Sequence, residues 1–540
     1  MSNPEASEYE VGQDNIQPFG LDIHNPVFVI SALSIVAFVL LSLAFQTEAT
    51  DFFGWLRPYL TSQFDWFFLA AANIFVLFGF FLVVTPLGSV RLGGVDAKPE
   101  YSYLGWFAML FAAGMGIGLM FFGVSEPMSH YASSLGGTAL ENGVRSDWAP
   151  LGGAAGDIEA ARNLGMAATI FHWALHPWAI YAVVGLSLAF FAYNFNLPLT
   201  LRSTFYPIFG EAVWGWTGHI IDTLAVFATL FGLATSLGFG TEQALAGLNF
   251  LFGTSTGNAA RVILISLITA AALISVLRGL DGGVKVLSEI NIALAALLMV
   301  FILFVGPTAA IFDAVVSGGI AYVKEIVPLS NPFGRDDANF SQGWTAFYWA
   351  WWISWSPFVG MFIARVSRGR TVREFIICVV FVPTIVSIFW MGAFGGTAIE
   401  QVIADPEAAV QAAPLELQLF EMLRQLPLAS FTSILGVILV IVFFVTSSDS
   451  GSLVIDTITA GGKTDAPISQ RVFWCTFEGV VAATLLLVGG AGALTALQAM
   501  AVSTGFPFTI VLLVMCVSLL IGLNRARKDA THTASTSRAE

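Results

Sequence analysis

Long runs of apolar residues almost free of charge cut this chain into segments, and they decide the solvent in which it folds. A helix that crosses a bilayer needs about 20 consecutive apolar residues. Twelve runs of that order occur, at about 25–47, 66–86, 104–123, 166–195, 223–240, 262–277, 287–310, 343–364, 375–398, 428–448, 472–488 and 498–522. Away from their ends they hold Glu478 and no other Asp, Glu, Lys or Arg. Only 11% of the residues are charged and 56% are hydrophobic, whereas soluble domains carry about 25% charged residues. The expected fold is therefore an all-α polytopic membrane protein of twelve transmembrane helices.

The first run follows an acidic tail without Lys or Arg, the wrong flank for a cleaved signal peptide. Cys378, Cys475 and Cys516 all fall in or beside apolar runs, so neither a disulfide framework nor a metal site is expected. A net charge of −14 argues against a nucleic-acid partner. Of the 22 Lys and Arg, 15 fall on the side of the termini once the loops are alternated, which predicts cytoplasmic termini in a cell (inner) membrane.

Two runs are interrupted at matching positions. The third contains Gly114-Met115-Gly116-Ile117-Gly118 and the eighth contains Pro357. Five runs begin at each, 3–7 and 8–12, a spacing that suggests inverted repeats around a midplane site. A broken helix exposes N–H groups on one half, suited to a carboxylate, and C=O groups on the other, suited to a cation. Gly114 and Gly118 also form a GxxxG pair, which serves helix packing equally well.

Tryptophan is dense in mid-run. The eighth run reads Trp349-Ala350-Trp351-Trp352-Ile353-Ser354-Trp355, and the fourth carries Trp173, Trp178 and Tyr181 around Pro177. A trimethylammonium or dimethylsulfonium head offers no hydrogen-bond donor, and ring quadrupoles can hold it at ~0.5–2 kcal/mol per ring. Aromatic packing between helices is the alternative. The scarcity of embedded carboxylates weakens proton coupling, leaving His172 and His176 as relays or as structural donors. Phe443-Phe444-Val445-Thr446-Ser447-Ser448-Asp449-Ser450 closes the tenth run with a row of oxygens, either sodium ligands or back-bonded helix hydroxyls.

GMGIGLMFFG at 114–123, HWALHPWAIYA at 172–182, FYWAWWISWSPFVGMFIARVSRGR at 347–370 and FFVTSSDSG at 443–451 together resemble the betaine/carnitine/choline transporter family. The resemblance covers about 25–525. It implies a leucine-transporter-like 5+5 inverted repeat preceded by two extra helices, and a homotrimer. The layout becomes a tail (1–24), two peripheral helices (25–100), a first repeat (101–310), an outer loop with an interfacial helix (311–342), a second repeat (343–523) and a short tail (524–540). It implies no enzyme and no cofactor, with sodium as coupling ion. Trp173, Trp178, Tyr181 and Trp352 would form the onium box, Trp351 and Trp355 the central site, and Phe358 and Phe362 the gate. Met115, Gly116 and Gly118 would meet the solute's carboxylate.

The resemblance places one sodium site at Ala112, Met115, Phe443, Thr446 and Ser447. Of the family's second site only Thr229 and Phe358 match, because Leu233 stands where a Thr is expected; Thr235 lies nearby. Choline carriers of the family often have Asp where this chain has Gly118. The expected function is sodium-coupled symport of glycine betaine or dimethylsulfoniopropionate, the alternative a proton-coupled or exchange-type choline or carnitine carrier. A membrane enzyme lacks support, since neither an embedded acid cluster nor a His/Asp metal set is evident. The few basic residues after run twelve argue against strong osmotic regulation.

Overall fold

The computed structural model describes residues 7–114, 116–279 and 285–536. Met115, and the side chains of residues 111–114, lie outside the described residues. The long helices, in chain order, are α1 (Asn25–Ala44), α2 (Gln46–Val84), α3 (Tyr103–Gly114), α4 (Ile117–Gly136), α5 (Ile158–Trp173), α6 (Leu175–Phe195), α7 (Trp216–Phe252), α8 (Asn258–Gly279), α9 (Lys285–Val305), α10 (Thr308–Ser330), α11 (Ala346–Val366), α12 (Val372–Ala404), α13 (Ala429–Thr459), α14 (Ile468–Gly489) and α15 (Ala493–Thr536). The strands described are two short antiparallel pairs, 15–16 with 23–24 and 140–141 with 144–145.

Ten helical stretches among the described residues are long and apolar enough to cross a membrane, against twelve runs in the sequence. The two runs that fall short are those of α3–α4 and α11. The first is divided by its break, and the second is diluted by five tryptophans. Both carry the candidate site.

The third run does break. Gly116 is extended (φ −156°, ψ −171°) and starts α4 afresh. The fourth run also divides, at Ala174 (φ −107°, ψ −121°). Pro177 has no N–H to give the Trp173 carbonyl four residues back, so the helical ladder is interrupted there. The eighth run does not break at Pro357, contrary to expectation: α11 is continuous across it. The carbonyl that Pro357 would leave orphaned, that of Ile353, accepts the Ser356 hydroxyl at 2.7 Å.

Other expectations are also corrected. The outer segment after residue 123 is not a loop at first, since α4 continues to Gly136. The tenth run does not end at its hydroxyl row, since α13 continues to Thr459. Membrane helices therefore hold more acid than the runs suggested: Glu126, Asp222, Asp449 and Asp456 are all buried, as is Glu478. The last helix, α15, runs past the twelfth run to Thr536.

The N-terminal tail is a docked strap. Its hairpin is pinned where Asn15 donates to Asp22 and to the Ala460 carbonyl (both 2.9 Å), and Lys463 pairs with Asp22 at 2.6 Å. Tyr9 stacks on Trp214 at 4.1 Å.

At the centre, α11 packs against α6, α7, α15 and α2. Over most of its length it is buried on every side, which fits a helix apolar all round. α4 packs on α5, α12 and α7, and α13 on α7, α8, α9 and α14.

Candidate functional site

The breaks at Gly116 and Ala174 bring the start of α4 and the end of α5 to the aromatic face of α11. Gly118 lies two residues into α4. A Cβ there would stand 2.9 Å from Cη2 of both Trp173 and Trp351. The helix N-terminus, with its unpaired amides, is thus walled by two indoles that only glycine lets approach so closely.

The rings form one connected group. Trp173 meets Trp352 edge-on at 5.0 Å and Tyr181 meets Trp352 at 5.8 Å. Trp178 joins Tyr181 at 5.5 Å, and Trp351 lies nearly parallel to Trp352 at 5.4 Å. The indole N–H groups are turned outward to fixed acceptors: Trp352 to the His172 carbonyl (2.9 Å), Trp355 to the Gly232 carbonyl (2.9 Å) and Trp351 to Ser236 Oγ (3.2 Å). The Tyr181 hydroxyl is buried and has no hydrogen-bond partner, an open donor at the edge of the group.

Trp355, Phe358 and Phe362 fall on one face of α11 and become progressively exposed, with Phe362 reaching 36%. Phe358 meets Trp355 edge-on at 5.4 Å.

The sequence reading missed the group behind the rings. Glu126, fully buried on α4, accepts Trp173 Nε1–H at 2.6 Å and the Tyr348 hydroxyl at 2.5 Å on one oxygen. Its other oxygen meets His172 Nδ1 at 2.5 Å and His130 Nε2 at 3.2 Å. His172 reaches Thr345 through its second nitrogen at 2.9 Å. Donors converging on both oxygens fit an ionised, acceptor-only carboxylate. Glu126, His130 and His172 lie close enough together to hold a metal ion, so the expected lack of an acid–histidine cluster is corrected. Trp173 and Tyr348 already occupy one oxygen, however, and tie the cluster to the rings. Phe122, one turn beyond Gly118, also closes on Trp173, Trp351 and Tyr348 within 6.2 Å. Glu126 was misassigned because the apolar run ends at residue 123; the HWALHPW stretch did signal His172.

Of the expected sodium ligands, Phe443, Thr446 and Ser447 lie on one turn of α13, and Ala112 lies in the last turn of α3. Met115 is outside the described residues. Thr446 Oγ1 lies 3.0 Å from the Val442 carbonyl and 3.1 Å from that of Phe443, and accepts Asn291 Nδ2 at 3.2 Å. Oxygen lone pairs gathered on one helical turn suit a hard cation. Thr229 is buried and donates to the Ala225 carbonyl at 2.7 Å. Leu233 fills the space against Gly451. Thr235 donates to the Leu497 carbonyl at 2.9 Å, which occupies it on α15 rather than near Phe358.

A broken membrane helix ending against a cluster of aromatic rings, in a multi-pass protein, is an arrangement suited to a carrier of small solutes. The model of the BCCT, betaine/carnitine/choline family transporter, matches residues 26–528. The chain belongs to this family. It is 64% identical over 521 residues to a glycine betaine/proline/choline transporter of Vibrio parahaemolyticus, covering 96% of this chain and 94% of that one. It is 41% identical over 512 residues to a glycine betaine transporter of Acinetobacter baylyi, covering 94% and 74%. To the glycine betaine transporter OpuD of Bacillus subtilis it is 42% identical over 480 residues, covering 88% and 89%.

Proposed function

We propose that this protein imports a zwitterionic onium solute, glycine betaine or dimethylsulfoniopropionate, in symport with sodium by alternating access. The observation that carries the reading is the contact of Trp173 and Trp351 with Gly118 at the start of α4. It sets the edges of two indoles against the start of a helix, so that a cation held on those rings would have its carboxylate end near anion-binding amides.

In this reading the solute's methyl groups contact Trp173, Trp178, Tyr181 and Trp352, and its carboxylate faces Gly116 and Gly118. Trp351 and Trp355 line the route, and Phe358 and Phe362 close it toward the cytoplasm. Sodium sits among Ala112, Met115, Phe443, Thr446 and Ser447, tying α13 to the break. Binding favours closure only because the closed form holds solute and ion better. Closure shifts a four-helix bundle against the scaffold and opens the cytoplasmic side, within a homotrimer in the cell membrane. The second family sodium site, Thr229 with Phe358, lacks a hydroxyl at Leu233. The relatives named as glycine betaine transporters support a betaine-type solute; choline, without a carboxylate, would leave the α4 amides unmatched.

A second reading is proton coupling, and the Glu126–His172–His130 cluster favours it as a buried titratable network beside the rings. Uptake of labelled glycine betaine and dimethylsulfoniopropionate into proteoliposomes separates the two. Sodium coupling requires uptake driven by an inward sodium gradient at equal pH. Uptake that ignores sodium and follows a proton gradient would establish the second reading instead.

A further inference from the structure

Glu478 is buried in α14 and takes no part in the site above. One carboxylate oxygen accepts the Ser448 hydroxyl of α13 at 2.8 Å. The other, Oε1, is buried without a hydrogen-bond partner. The next residue on α13, Asp449, is also buried, and it accepts the Ser275 hydroxyl of α8. Helices α8, α13 and α14 pack against one another, so two carboxylate–hydroxyl pairs, carried by neighbouring residues of α13, lie in one three-helix seam.

Neither acid has a basic side chain in ion-pair contact among the described residues. Arg471 is the basic group whose field reaches Asp449, and it lies 3.9 Å from Asp456 instead. The remaining titratable neighbour is Cys475, whose thiol is 3.5 Å from Ser448. A second orphaned oxygen borders the seam: Thr269 Oγ1 of α8 is buried, without a partner, against Gly479 of α14. Two acids in a membrane interior without a basic partner, one of them with an oxygen short of a donor, lack the compensation that such groups normally have.

We propose that Glu478, Asp449, Ser448 and Ser275 form a second sodium site, distinct from the one at Phe443, Thr446 and Ser447. The Glu478 Oε1 lone pairs and the Asp449 carboxylate are hard oxygen donors, and the two hydroxyls can rotate to present oxygen instead of hydrogen. The inference rests on sodium symport. It gives the chain a second coupling ion where Leu233 has displaced the hydroxyl of the usual second site.

The test is the charge carried per solute, measured from reversal potentials in proteoliposomes with opposed sodium and glycine betaine gradients. The Glu478→Gln variant removes the charge while keeping the shape. The Ser448→Ala variant removes one ligand, and tryptophan-fluorescence titration with glycine betaine verifies that both variants are folded. The ratio is expected to fall by about one charge in Glu478→Gln, with the sodium Hill coefficient dropping toward 1, and Ser448→Ala is expected to need several-fold more sodium. An unchanged ratio and unchanged sodium dependence in both folded variants would overturn the proposal, as would a ratio that follows the proton gradient. A wild-type protein indifferent to sodium would instead overturn the symport reading itself.

Discussion

Replacing Glu126 by Gln is the perturbation that best separates a tuned cation site from simple aromatic packing. The carboxylate sits 2.6 Å from Trp173 Nε1, on the far edge of the ring whose face lines the enclosure. A cation on that face lies roughly 8 Å from the charge, and at an effective dielectric of about 20 the attraction is ~2 kcal/mol. Gln keeps one acceptor oxygen for Trp173 and Tyr348 and turns its amide toward His172, whose tautomer can adapt. The main loss is then the charge, and glycine betaine affinity should fall about 30-fold. Alanine would be a poorer probe, since each buried donor left unpaired costs ~1–3 kcal/mol. The assay is fluorescence titration of purified variant and wild type, with uptake KM in parallel. A folded Glu126→Gln protein whose affinity stays within threefold of wild type would refute an electrostatic role for this carboxylate.

Trp352→Leu removes the ring that touches both Trp173 and Tyr181, at a cation–π cost of ~0.5–2 kcal/mol or more. Its KM for glycine betaine should rise at least several-fold with normal membrane insertion, and an unchanged KM would remove this ring from the enclosure. Gly118→Ala places a methyl 2.9 Å from two indole edges, so the rings must part and transport should drop at least tenfold with the protein still inserted; wild-type uptake by that variant would contradict the close packing. Burial would by itself raise the Asp22 carboxyl, but bonds from Lys463 and Asn15 outweigh it and hold the group below 3.8. That contribution to strap docking is present above the unfolded value of about 3.9 and is lost as pH falls through the folded one. Limited proteolysis should therefore release the first 24 residues faster near pH 3 than at pH 7, and Asp22→Asn should make release at pH 7 equally fast.

Fold class was legible because lipid demands long apolar runs, and that demand is written locally. The break at Gly116 was half legible, since Gly114 and Gly118 serve helix packing as well as a break, and the extended backbone of Gly116 decides between them. Whether a proline interrupts a helix depends on a neighbour, however. At Pro357 the Ser356 hydroxyl takes over the freed carbonyl, while at Pro177 the chain turns at Ala174 instead. The box residues were legible as a dense set of rings, though not their connection through Trp352. Glu126 escaped notice because an acid just past an apolar run reads as loop. Only the folded chain shows that α4 carries it inward against Trp173, Tyr348 and two histidines.

The account stands most directly on the claim that ring faces, rather than shape alone, select the solute. Equilibrium binding of glycine betaine can be compared with that of tert-butylacetate, which has the same shape and carboxylate but carbon in place of the charged nitrogen. Attraction from even two or three rings should favour glycine betaine by at least about tenfold. Equal affinities would mean that the enclosure measures size only, and the assignment of Trp173, Trp178, Tyr181 and Trp352 to a cation would be wrong.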